Sequence, residues 1–395
     1  MKRNIICIAL CVICTGLWAV DFGVVIDSEI ESAKHDSTET AGRIVIAPWF
    51  SMPFNASELH FSAGLNTNIS NHTYSAPELF RLEFITRLPG LGTLRLGRFS
   101  WMDPSRLVVA GRFDGADILF DLGKILLGVN ASYTGLLFKD TSFINPSPMD
   151  TKDYEANFNW DDFSNTYYAP PHFLATLYGE FPGFPSGRGR LYAGFMTQFD
   201  LSDAKETFNT QYILLRHVLS YKAFDFTVAA AAEFENTADK GSRTALAWLL
   251  DGGMQLPTQI IDRLSLSIVW SSGEGPSTAA FYPVVRDALG FALKPSLSGM
   301  MIIRLNYGAR LLPALSADLG FRYFIRTDSE SFTYQYLNND SYLLGAELNA
   351  GILWALFSDL AFTLEGGVLI PSTGDAWERN APAISRIIAG IKLSL

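Results

Sequence analysis

Apolar and polar side chains alternate along most of the chain from residue 21 to its last residue. In AFDFTVAAAAEFE (223–235), Phe224, Phe226, Val228, Ala230, Ala232 and Phe234 fall on one face of an extended segment. Asp225, Thr227, Ala229, Ala231, Glu233 and Glu235 fall on the other. LSLSIVWS (264–271) sets Leu264, Leu266, Ile268 and Trp270 against Ser265, Ser267, Val269 and Ser271. The same period runs through ALSADLGFRYFIR (314–326) and LLGAELNAGILW (343–354). The chain ends on it in ISRIIAGIKLSL, with Ile387, Ala389, Ile391, Leu393 and Leu395 on one side. A period of two is that of a β-strand, whose successive side chains point to opposite faces. The runs are roughly 10–15 residues long, against about 5–6 for a strand in a soluble protein, and suit the about 9–11 residues that a tilted strand needs to cross a bilayer.

Two kinds of connection alternate between these runs. One kind is short: LPGLG (88–92), LGK (122–124), GFPSGRG (183–189), YKAF (221–224), LLPA (311–314) and LFSD (356–359). The other is longer and polar, at 30–41, 70–77, 139–171, 200–209, 236–242, 272–297, 328–339 and 372–383. This alternation predicts an all-β fold, a transmembrane antiparallel up-and-down β-barrel with tight turns at one end and long loops at the other. Counting gives 18 strands, within a range of 16–20, with both chain ends on the short-turn side, and splitting 101–124 further would break that parity. The count makes RLVVAGRFDGADILFDL (106–122) one strand, bulged at Asp114-Gly115. Aromatics at segment ends (Trp49, Phe50, Phe138, Phe173, Tyr221, Trp270, Trp354, Phe357) read as interface girdles. A soluble sandwich or propeller also alternates. Strand length and the recurring Leu, Phe and Trp stripes argue for the membrane barrel.

The first residues differ. Met1-Lys2-Arg3 precedes NIICIALCVICTGLWA, an apolar run ending at Ala19. A basic start and a short apolar stretch describe a cleaved signal peptide over 1–19, which leaves 20–395 as the barrel. Leu17 is larger than the small residue usual at its place before the cleavage point. A lipoprotein leader would need a small residue before Cys11 or Cys14, where Leu10 and Ile13 stand. All three cysteines (Cys7, Cys11, Cys14) lie in this leader, so neither disulfides nor thiolate metal sites are expected beyond it. No apolar run of about 18 residues follows residue 20, so no spanning helix is expected. A hydrophobic share of 48% excludes disorder. The net charge of −10 argues against a nucleic-acid partner.

If the apolar stripe meets lipid, the opposite stripe lines a lumen. Arg81, Glu83, Arg95, Arg304, Asp318, Arg322, Glu347 and Glu365 are the pore-lining candidates. Such charges are costly in a dry interior, and barrels of about 16–18 strands leave an aqueous channel. A water-filled, mixed-charge lumen that admits small hydrophilic solutes is the expectation. Pairing through the turns places Arg304, Arg322, Glu347 and Glu365 on four successive strands as a charge ladder. The ladder reads either as a selectivity element or as mutual neutralisation that stiffens the wall. Loop 139–171 mixes acids with aromatics, and Asp153, Tyr154, Trp160, Asp161 and Tyr167 are its binding candidates. It folds inward as a constriction or outward as a surface. Its acids lack calcium-loop spacing, and no metal or cofactor is expected. In loop 272–297, Val284, Val285, Leu289 and Leu293 of PVVRDALGFALK fall at roughly helical spacing, which reads as a packed lid or as a short helix capping the mouth, the packed lid being preferred. There is no G-x-S-x-G, H-E-x-x-H or phosphate loop, and the five histidines are scattered and read as surface or rim residues, so no enzyme activity is expected.

The last residues carry a resemblance. Gly390, then two residues, Leu393, one residue and Leu395, with Ile388 ahead, resemble the C-terminal assembly signal of outer-membrane β-barrel proteins of diderm bacteria. That signal usually ends in Phe or Trp, and this chain ends in Leu. The resemblance covers the chain after the leader. It implies a porin-like barrel in the outer membrane, surrounded by its lipid and inserted by the barrel-assembly machinery. LPGLG, LLPALSADLG and LGRFSWMDPSRLVVAGRFDGADI are similar in style to spirochaete, especially treponemal, barrels. A fatty-acid-type transporter of hydrophobic compounds is one alternative, but such proteins carry a plug before the first strand, and here VDFGVVIDSE alternates straight after Ala19. A surface adhesin acting through 139–171 is the other. Solute and oligomeric state stay open.

Overall fold

The computed structural model describes residues 20–35, 37–150, 152–185, 187–202, 208–237, 241–286, 289–338 and 341–395. The expected leader, 1–19, lies outside the described residues. The chain forms β1 (Asp21–Lys34), β2 (Thr38–Phe54), β3 (Ser57–Ile69), β4 (Tyr74–Leu88), β5 (Gly92–Met102), β6 (Ala110–Asp121), β7 (Leu126–Tyr133), β8 (His172–Pro182) and β9 (Gly189–Asp200). It continues with β10 (Asn209–Tyr221), β11 (Phe224–Thr237), β12 (Gly241–Gln255), β13 (Ile261–Ser271), β14 (Met300–Leu312), β15 (Leu315–Arg326), β16 (Leu343–Ala355), β17 (Leu360–Ile370) and β18 (Ile384–Ser394). They make one 18-stranded sheet in which each strand pairs with its neighbours in sequence. The sheet closes because β1 pairs antiparallel with both β2 and β18, from Val25↔Ser394 to Lys34↔Ser385.

Closure is what makes this arrangement possible in lipid. Strand amides find their partners in the next strand, and no free edge remains. The outer face carries the apolar stripe: Phe226, Leu266, Leu319, Leu348, Ile352, Ile387 and Ile391 are all exposed on it. Such a belt suits acyl chains rather than water. Tight turns join the strands at the end where the chain finishes. At one of them Gly90 (φ +71) lets the Leu91 N–H reach the Leu88 carbonyl at 2.9 Å.

Several details differ from the sequence reading. The described residues of 30–41 and 236–242 are mostly strand rather than loop, since β1 runs to Lys34, β2 starts at Thr38, β11 ends at Thr237 and β12 starts at Gly241. Backbone pairing does not need apolar side chains, so these hairpins run on past the apolar belt. There is no bulge at Asp114-Gly115: both residues pair in register with β5 and β7. That strand starts at Ala110, not Arg106, because the Asp103 carboxylate takes up the amides just before it. Register shifts occur instead at Ser62/Ala63, Arg310/Leu312 and Phe324/Ile325.

The largest correction concerns the lumen. The long loops turn inward and bring an apolar core with them. Val108, Ile144, Phe281, Val284 and Leu293 from the loops belong to one buried cluster with Phe99, Phe113, Tyr212, Leu214 and Ile302 of the inner wall. Ala229, Ala231, Ala245 and Ala247 on the inner face of β11 and β12 are at most 2% exposed, and their small side chains leave room for the inserted loops. The short helix read as one option for 283–294 is absent among the described residues of that segment. Its amides are drawn instead to the Glu347 carboxylate of the wall and to neighbouring loops.

Candidate functional site

Beside the inserted loops lies a cavity of about 780 Å³. Its lining includes Arg95, Trp101, Asp103, Arg106, Arg112, Asp117, Tyr178, Tyr192 and Arg216. Four arginines therefore face one space with two aspartates. The alternation of β5 and β6 points Arg95 and Arg112 inward, and β10 does the same for Arg216.

The arginines are not equivalent. Arg95 pairs with Glu83 at 2.7 Å, and Arg112 pairs with Glu78 at 2.8 Å. Glu83 and Glu78 are buried, and Glu78 also accepts from Asn66 at 3.0 Å and from Thr141 of the inserted loop at 2.6 Å. Both arginines therefore have a carboxylate partner, although Arg95 shares Glu83 with Arg81. Arg216 stacks on Tyr192, with its guanidinium carbon 5.6 Å from the ring centre. Among the described residues no carboxylate forms an ion pair with Arg216 or Arg106. Asp117 is held on the cavity wall by the Tyr178 hydroxyl at 3.1 Å.

Arg106 owes its place to the loop between β5 and β6. The buried Asp103 carboxylate accepts from the amides of Ser105 (2.7 Å), Arg106 (2.9 Å), Val108 (3.1 Å) and Val109 (2.7 Å), and from the Ser105 hydroxyl. Burial pushes the Asp103 carboxyl above its usual range, opposed by these hydrogen bonds. The turn so formed holds Arg106 at φ +62, in the left-handed region, with its side chain exposed to the cavity.

The residues singled out from sequence fall into groups. Arg81, Glu83 and Arg95 meet, with Arg81 donating to Glu83 at 2.6 Å and Arg95 at 2.8 Å. Arg304, Arg322 and Glu347 share one row, since Arg304 pairs with Arg322 and Arg322 with Glu347. Arg322 donates to Glu347 at 3.1 Å. Glu365 is not in that row. Its partner on β16 is Gly351, further along the strand than Glu347, because the β16–β17 hairpin pairs Glu347 with Leu369. Asp318 also pairs with Gly351, so Asp318 and Glu365 flank a glycine on the inner wall.

Loop 139–171 folds inward along one side. Phe158 and Tyr167 are buried with Phe138 and Ala76, and the Tyr167 hydroxyl donates to the Pro77 carbonyl at 2.7 Å. Burial pushes the Tyr167 phenol up to about 12. Tyr167 is therefore part of the packing and not an accessible binding residue. Trp160 is exposed while its indole donates to the Ser75 carbonyl at 3.1 Å, and Asp153 and Asp161 are exposed nearby. His172, expected at the surface, is buried, with Nε2 3.0 Å from the Asn145 carbonyl. At the chain end, Leu395 exchanges backbone hydrogen bonds with Val24 at 2.9 Å, and its side chain points outward.

Sequence reasoning missed Arg106, Arg112, Arg216 and Asp103. The signal for the loop was present as Asp103-Pro104-Ser105, a turn-forming triplet just before the strand expected at 106–122. For Arg216 nothing in YILLRHVLS (212–220) marks its importance.

Scans against protein-family models and curated proteins return no match. Solved structures do. The outer membrane protein opdK of Pseudomonas aeruginosa aligns with a TM-score of 0.60 at 12% identity, over 96% of this chain and 99% of that one. OccK5 (OpdH) of the same organism aligns at 0.59 and 11% identity, over 96% and 99%. OccK2 (OpdF), solved in complex with glucuronate, aligns at 0.58 and 11% identity, over 95% and 98%. At such identity the likeness is one of fold, and it spans the full barrel: this chain is built like the outer-membrane barrels of the Occ and Opd type.

Proposed function

We propose that the chain is a channel of a bacterial outer membrane that passes small hydrophilic solutes, with a preference for anions bearing a carboxylate. The observation that carries the reading is the pair Arg106 and Arg216. They face one cavity inside a closed barrel with an apolar outer belt, and no carboxylate pairs with either among the described residues. A guanidinium with open donors binds a carboxylate through two parallel hydrogen bonds. Partly screened from bulk water, two such groups attract anions more strongly than surface arginines do. The glucuronate bound by the similar OccK2 (OpdF) barrel supports this chemistry.

In this reading Arg81, Glu83 and Arg95, together with Arg304, Arg322 and Glu347, are wall groups in which two arginines stand to each glutamate, so the inner wall keeps a net positive charge there. Asp318 and Glu365 are exposed acids on the inner wall. Asp153, Tyr154, Trp160 and Asp161 form the outer rim that a solute meets first. Gly390, Leu393 and Leu395 serve the barrel-assembly machinery as the signal of the closing strand, with membrane lipid around it. The narrower likeness to spirochaete barrels belongs to the same reading and rests on the sequence phrases alone.

Planar-bilayer recording tests the proposal. The purified barrel should conduct, and a salt gradient should give a reversal potential of the sign for anion preference. Arg106→Gly combined with Arg216→Gln should move that potential toward zero or reverse it. Arg106→Gly removes the charge and at the same time relieves a left-handed residue, a gain of about 1 kcal/mol, so the variant is expected to fold. A silent bilayer from well-folded protein would refute the channel. Conductance with unchanged selectivity in the double variant would refute the arginine site.

A further inference from the structure

The loop between β13 and β14, residues 272–299, does not cover the rim but crosses the lumen. Early in the loop the Tyr282 amide donates to Glu233 of β11 at 2.8 Å. Next it meets loops from the far side of the barrel: the Val285 amide donates to the Val108 carbonyl at 3.2 Å, and the Asn145 amide to the Val284 carbonyl at 2.9 Å. The later segment then reaches β16. There the consecutive amides of Phe291, Ala292 and Leu293 all donate to the Glu347 carboxylate, at 2.8, 2.8 and 2.9 Å. Glu347 is fully buried. The wall is shaped for this contact: a Cβ on Gly367 would lie 2.5 Å from the Phe291 ring, so the missing side chain is the seat of that ring.

We propose that Glu347 is the residue that sets the width of the passage, by latching the 289–297 segment across the lumen, with Arg322 as its positioning residue. This rests on the channel reading. The two halves of the loop are held differently. The first half is tied by backbone bonds to two other loops. Among the described residues the three amides of the second half share one carboxylate and no strand partner. Without that acceptor they would be buried and unpaired, a state that folded proteins avoid. The segment then regains partners by swinging into water, and it is free to do so because the barrel ladder holds without it. Other ties to the segment are the packing of Leu289, Leu293 and Leu297 in the buried cluster, which water would weaken, and side chains of the wall. Arg304 donates to the Leu289 carbonyl at 3.3 Å, Arg386 donates to the Phe291 carbonyl at 3.2 Å, and Lys294 lies 3.7 Å from Glu31. These act on carbonyls and on a side chain, and they give the three amides no acceptor in place of Glu347.

The test uses the whole barrel with a thiol placed at Ala292, which is 8% exposed. The cysteines of the chain all lie within 1–19, so Ala292→Cys is a unique reporter in the barrel. On this background, Glu347→Ala should raise the rate of labelling by a water-soluble maleimide by about tenfold or more, the factor that matches loss of one strong hydrogen bond. Conductance should rise by about twofold or more as the passage widens. Glu347→Gln keeps one acceptor oxygen and should fall between, and it serves if the alanine variant does not fold. Heat-modifiability on gels reports the folded barrel. Slow labelling in a folded Glu347→Ala or Glu347→Gln barrel, equal to that of the parent, overturns the latch. Fast labelling in bilayers that stay silent for every variant supports the latch and overturns the channel reading instead.

Discussion

Asp103 shows how one side chain can build a site without belonging to it. Its carboxylate is 2% exposed and accepts four backbone amides, which converts the start of an expected strand into a tight turn. The turn carries Arg106 into the cavity. Asp103→Ala should therefore act twice. It leaves buried donors without an acceptor and should lower stability by roughly 2–4 kcal/mol, read from urea unfolding in lipid vesicles. It should also weaken the anion preference, because Arg106 is no longer held in place. Asp103→Asn keeps one acceptor oxygen and should lose less of both. If selectivity persisted while stability fell, Arg106 would not depend on the turn. The sequence did not reveal this residue as special, since an Asp before a Pro occurs in many loops and its acceptor role depends on where the following amides go.

At the scale of the element, the alternation read from the sequence describes the outer face better than the inner one. The outward residues have one environment, acyl chains, so their pattern is uniform and legible: all 18 strands were visible in it. The inward residues meet water, charges or an inserted loop, and a small residue fits any of these. Ala229 and Ala231 looked like part of a polar face and turn out, with Ala245 and Ala247, to be the floor beneath loop 272–299. Ala231→Leu should overpack that floor at a cost of about 1–3 kcal/mol and shift the loop. Lower thermal stability, together with faster maleimide labelling in the Ala292→Cys background, would register both effects. An unchanged melting profile would mean that the loop does not press on β11.

For the whole molecule the distribution of charge matters more than its total. A net charge of −10 says little about selectivity when the arginines of β5, β6 and β10 and the loop Arg106 gather round one cavity, while Asp318 and Glu365 sit on β15 and β17. A passing ion meets the local field and not the sum. That field is screened over about 10 Å at 0.1 M salt and about 3 Å at 1 M. The anion preference should therefore shrink markedly when the reversal potential is measured at the higher concentration with the same gradient ratio. A preference that held at both would point to size exclusion in place of charge.

The sequence by itself determined the strand number, the short turns at one end of the barrel, and which face of the strands meets lipid. These follow from local period and turn chemistry, which neighbouring residues settle between them. Only the tertiary structure decided what fills the barrel. Whether Glu347 receives the amides of 291–293 beside its bond to Arg322, and whether Arg106 begins a strand or shares a cavity with Arg216, depends on groups far apart in the chain. Such contacts leave no period in the sequence, because the loops that make them are irregular and their partners lie on distant strands.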